Sequence, residues 1–138
     1  MTGERSRQAI IAVLAIAALL AVGFLLSGSS VLERRLAGGL PFGNALSAAC
    51  LVLPAWAATL LAPRGTKIRR FSAAALLLAV VWLPFSVALA GNIDLNFAGS
   101  TGTTWLALTA GAFLASFGSL LAALASSLRR RRSSPRSQ

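Results

Sequence analysis

The sequence predicts an all-α membrane protein, a polytopic chain whose four transmembrane helices form an antiparallel bundle with both termini cytoplasmic. Three observations predict it. Hydrophobic residues make up 57% of the 138 positions and charged residues only 12%, where a soluble domain carries about a quarter charged residues. The apolar residues lie in four runs, roughly 9–26, 44–62, 71–90 and 104–128, and no Asp, Glu, Lys or Arg interrupts any of them. The basic residues gather at alternate ends of those runs.

The first run, 9–26, is the shortest. At a rise of about 1.5 Å per residue it still covers about 27 Å, close to the ~30 Å hydrocarbon thickness of a bilayer. Lipid offers the backbone no hydrogen-bond partner, so each run must satisfy its own amides as a helix. A β-barrel would need alternating strands of about ten residues, and these runs do not alternate. Arg5 and Arg7 precede the first run and a Ser/Gly cluster follows it, as in a signal peptide. Its length exceeds the h-region of such a peptide, which favours a retained helix. Cleavage would leave three spans with their orientations unchanged.

The next segment contains Ser30-Val-Leu-Glu33, the pattern of a capping box, ahead of Gly38 and Gly39. It predicts a short interfacial helix through Ala37, stopped by the glycines. The second run carries Pro54 and the third Pro84. Each proline removes a backbone donor and frees the carbonyl four residues back, at Cys50 and Val80, which predicts a helix kink at both places. Between these runs, Pro63 and Gly65 mark a tight turn that makes spans two and three antiparallel neighbours. Trp56 and Trp82 lie deep enough in their runs to pack between helices.

The loop Asn92-Ile-Asp-Leu-Asn-Phe97 alternates polar and apolar residues before Gly, Ser and Thr lead to Trp105, which suits an interfacial aromatic belt. The period is that of a strand, with Ile93, Leu95 and Phe97 on one face. An isolated strand is not stable, so it must lie on the first outer loop, the membrane surface or another protein. Asp94, Leu95, Asn96 and Phe97 are therefore the candidate outer-loop contact. The last run carries small residues at spacing four, namely Ala107, Gly111, Ala115, Ser119 and Ala123. Such a stripe lets another backbone approach closely and predicts helix packing, within the bundle or between chains. The tail 129–138 is basic and polar, with the composition of a disordered segment.

Orientation follows from Arg5 and Arg7, then Arg64, Lys67, Arg69 and Arg70, then Arg129, Arg130, Arg131, Arg132 and Arg136. With the N-terminus inside, these eleven of the thirteen basic residues fall on the cytoplasmic side, and only Arg34 and Arg35 fall outside. The net charge of +10 is thus explained at the ends of spans and calls for no nucleic acid. Anionic lipid headgroups are the partners that such ends attract.

The chain lacks histidine and has one cysteine, Cys50, which excludes an internal disulfide and removes the commonest metal ligand and general base. No phosphate-binding glycine loop, nucleophile elbow or paired carboxylates are present. No cofactor, no metal and no catalysis are expected. The four-span small multidrug exporters are similar in size and topology, but they rely on a carboxylate in the first membrane helix. The run 9–26 has none. By elimination, the expected function is an accessory or scaffolding subunit that packs against other membrane proteins or itself, in a bacterial inner membrane. The alanine and arginine usage suits a high-GC genome. The alternative is a small oligomeric channel, carrier or holin-like pore former. The whole chain, 1–138, reads as a single transmembrane domain.

Overall fold

In the computed structural model, which describes Thr2–Ser133, four long helices account for most of the chain. They are α1 (Thr2–Leu26), α2 (Phe42–Leu61), α3 (Lys67–Ala90) and α4 (Ser100–Ser133). Each is long and apolar enough to cross a membrane. Their apolar portions coincide with the four expected runs. The helices are longer than the runs because they continue into flanking polar sequence, where arginine and lysine are good helix formers. The basic residues Arg129 and Arg130 and the chain through Ser133 belong to α4, so the expectation of a disordered tail is corrected for that part. The rest of the tail lies outside the described residues.

Local chemistry sets the ends. Thr66 caps α3, its hydroxyl accepting from the Arg69 amide at 3.3 Å, and Gly91 closes α3 in the left-handed conformation with φ 69°. Between α2 and α3 the chain reverses through Pro63 and Gly65, whose φ is 78°, and the Thr66 hydroxyl donates to the Pro63 carbonyl at 2.8 Å. The capping-box segment gives less than expected. Ser29, not Ser30, is the cap, and only a single turn of 3₁₀ helix forms at Ser30–Glu33 before the chain becomes extended at Arg34. The chain then turns at Gly38 and Gly39, both at positive φ, so that Arg35 pairs with Pro41 in an isolated antiparallel bridge. That bridge consumes the residues that would have continued a helix to Ala37.

Neighbouring helices are antiparallel, as expected. Ile11 of α1 meets the end of α2 near Ala62, while Phe24 meets Phe42 at the start of α2 with ring centroids 6.1 Å apart. The bundle is not closed, however. Helix α2 is central and packs on α1, α3 and α4; α3 and α4 pack on each other; α1 leans on α2 without packing along α4. Small residues allow this. Ala55, Ala57 and Ala58 of α2, and Ala62 just after it, are completely buried, so three helices approach one. One buried cluster joins Ile11, Ala57, Ala58, Ala62, Leu120 and Ala123 near the end that carries the termini. A second joins Leu51, Ala79, Trp82 and Ala112 nearer the other end.

Candidate functional site

The end remote from the termini is closed by its own loops. Asn92 organises the opening stretch of the second loop. Its side-chain amide donates to the carbonyls of Ala90 and Asn96 at 2.9 and 3.1 Å, and its oxygen accepts from the Asn96 amide at 3.0 Å. Leu95 sits at φ 57°, a left-handed value costly for a branched residue. This turn breaks the expected strand alternation, because the side chain of Leu95 no longer points where period two would send it.

The two loops hold each other. Asp94 pairs with Arg35 at 3.0 Å, and the Asn44 amide donates to the Ile93 carbonyl at 3.0 Å. Phe97 stacks on Trp105 with centroids 4.8 Å apart, and Leu95 packs against the buried cluster around Trp82. Of the candidate contact residues, then, Asp94, Leu95 and Phe97 are engaged within the chain, while Asn96 is exposed and serves through its backbone. The stretch thus lies on the first loop, one of the surfaces expected for it, and also on Trp105 of α4, which was not among them.

Below the loop, Trp105 and Trp82 form a ladder that pins α3 to α4. The Trp105 Nε1–H donates to Ser86 Oγ at 3.0 Å, and the Trp82 Nε1–H donates to Thr109 Oγ1 at 2.9 Å. Each indole thus satisfies its donor within the chain. Trp82 is 2% exposed, as a residue packed between helices should be. Trp56 is 46% exposed and faces outward, correcting the expectation that it packs inside. It follows Ala55 and precedes Ala57, both on the buried side, on the one strip of α2 that no neighbour covers.

The small-residue stripe of α4 divides. Ser119 and Ala123 are buried and Ala115 is half-buried, but Ala107 and Gly111 are exposed. A side chain at Gly111 would meet nothing within 4 Å. The packing of Ala107 and Gly111 inside the bundle is thereby corrected, and the reason is geometric. Each step of four residues advances about 40° beyond a full turn, so a stripe of strict spacing four winds from one face to another. The buried face instead runs Ala112, Ser116, Ser119, Ala123, alternating steps of four and three. The outward face carries Ala107, Gly111, Gly118 and Ala122, and Gly118 too is open.

The prolines do not meet. Pro54 is buried and Pro84 exposed, and both α2 and α3 continue through them. Val80, whose carbonyl Pro84 frees, lies on the outer surface. The two freed carbonyls therefore do not line a shared cavity of the kind that broken helices form around ions.

At the end bearing the termini, arginines cap α2. Arg7 donates to the Leu60 carbonyl, and Arg69 donates to the carbonyls of Thr59 and Ala62 at 2.7 and 3.4 Å. These are carbonyls that the end of a helix leaves without amide partners. Sequence reading counted these arginines for topology and missed this role; their spacing of one helical turn or less from a span end was the available signal. Among the described residues no three His, Cys, Asp or Glu side chains come together. No protein family, curated protein or solved structure matches this chain.

Proposed function

We propose that the chain is a multi-pass protein of the bacterial cytoplasmic membrane, with both termini cytoplasmic, acting as a non-catalytic accessory or scaffolding subunit. The orientation rests on the placement of eleven of the thirteen basic residues at the ends of the spans that share a side with the termini. The subunit reading rests on the outward face of α4. Gly111 and Gly118 stand in mid-helix, where glycine costs about 1 kcal/mol relative to alanine, and no part of this chain comes close enough to need them. With Ala107 and Ala122 they form an outward strip of small residues, a shallow channel bordered by the exposed Leu114 and Leu121. Another transmembrane helix can bring its backbone into such a channel, which is how helices associate where lipid gives no hydrophobic drive.

Cross-linking in membranes tests this. Cys50 is the only native thiol, so the background is Cys50→Ala, and single cysteines replace Gly111, Gly118 or the inward Ala112. Links from 111 and 118 to a different membrane protein support a subunit. Links to a second copy favour the oligomeric channel or carrier. If neither outward position links more than Ala112→Cys does, the α4 face meets lipid and the reading fails.

A further inference from the structure

Because α1 and α4 both lie on α2 without packing along each other, a furrow remains between them. At the end bearing the termini this furrow changes character along its length. A cavity of about 490 Å³ is lined by Arg7, Arg64 and Arg69 with Leu60 and Pro63. A cleft of about 300 Å³ shares Arg7 and Pro63 with it and adds Gln8, Ser127 and Arg130. A groove of about 320 Å³ then shares Gln8 and Ser127 with the cleft and continues toward the middle of the spans. Its walls are Ala12 and Ala15 of α1 facing Leu120 and Leu124 of α4, over a floor at Leu61. Four guanidinium groups thus border a hollow that opens directly into a hydrocarbon channel.

We propose that one anionic phospholipid seats here, its phosphate among Arg7, Arg64, Arg69 and Arg130 and one acyl chain in the groove between α1 and α4. The inference rests on the membrane reading and is independent of whether the protein is an accessory subunit. Charge decides the headgroup. Of the three acidic residues, Glu33 and Asp94 lie at the other end of the molecule, and only Glu4 belongs to the segments at this end. Guanidinium forks match phosphate oxygens and hold their charge at any physiological pH. Arg64 is exposed and donates to no acceptor among the described residues, so its hydrogen bonds are available to a ligand. Depth decides the tail. From Gln8 to Ala15 the groove runs about 10 Å at helical rise, within the ~15 Å of one leaflet.

The test uses the full chain purified in a neutral detergent, with retained lipid counted by native mass spectrometry and stability followed by thermal unfolding. Phosphatidylglycerol should be retained at one per chain and raise the unfolding midpoint, at least tenfold more effectively than phosphatidylcholine. Arg64→Gln should weaken retention about fivefold, the effect usual for one basic residue at an anionic surface. Ala15→Phe and Ala12→Phe, which fill the groove from two positions, should each abolish retention of phosphatidylglycerol while leaving the helices folded. Glycerol phosphate should neither bind nor compete at concentrations near those of the lipid. Equal retention of the two phospholipids would overturn the proposal, as would competition by glycerol phosphate, which would make the cleft a site for free phosphate. Unchanged retention in both phenylalanine variants would overturn it too. Cross-linking at Gly111 reads a different face, so failure of the subunit reading leaves these outcomes untouched.

Discussion

Adjacent residues on α4 should respond in opposite ways to one substitution. Ala112 is 1% exposed and belongs to the buried cluster of Leu51, Ala79 and Trp82. Leucine there has to enter a site already filled by a tryptophan and by the backbone of α2 and α3, and overpacking of this kind costs about 1–3 kcal/mol. Gly111, one residue earlier, points about 100° away, into space with no atom within 4 Å of an added Cβ. Leucine there relieves the helix of a glycine and gains up to about 1 kcal/mol. The two variants should therefore differ by about 1–4 kcal/mol, which is a ratio of about fivefold or more between their folded-to-unfolded equilibria. Denaturation of the isolated chain in mixed micelles, followed by helical circular dichroism, measures the difference. If Gly111→Leu proved the less stable of the two, the register of α4 described above would be wrong. In native membranes the order should change its meaning: Gly111→Leu should fold normally yet lose the cross-links of the outward face.

Three further outcomes follow from polar groups, two of them in the apolar interior. Trp105→Phe should cost about 1–3 kcal/mol, because it leaves Ser86 Oγ buried without its donor; adding Ser86→Ala should recover part of that loss in a double-mutant cycle. Ser116 Oγ is buried with no hydrogen-bond partner among the described residues, so Ser116→Ala should stabilise the chain by an amount on the order of 1 kcal/mol, measured in the same micelles. Breaking the ion pair with Asp94→Asn should cost less than about 1 kcal/mol and cost still less at high salt, since the Arg35 and Asp94 side chains are 58% and 36% exposed.

The spans were legible in the sequence because lipid leaves a chain one choice. Runs without charge must be helical, and Gly91 and Leu26 end their helices where hydropathy ends. Hydropathy could not find the other boundaries, since Lys67 and Arg129 favour helix as much as leucine does and differ only in what surrounds them. Arrangement was less legible. Alternation in Ile93, Leu95 and Phe97 implied a strand, and a single left-handed residue, Leu95, undid it. The pairing of Asp94 with Arg35 spans 59 positions and leaves no local signature. Small residues at spacing four in α4 named both faces of the helix at once, because one face cannot be held for four such steps. Nor does an alanine-rich α1 tell whether it closes the bundle; its neighbours decide that, and they leave the furrow. The arginines could be counted from the sequence, yet their convergence on the end of α2 and on that furrow needed the tertiary structure.

Most of this account depends on four crossings with both ends on one side, the cytoplasmic one. Reporter fusions read that directly. A fusion after Arg70 and one at Gln138 should both report the cytoplasm, and a fusion after Ser100 should report the exterior. A C-terminus that reads external would contradict the four-span arrangement, and with it the orientation on which the proposed function stands.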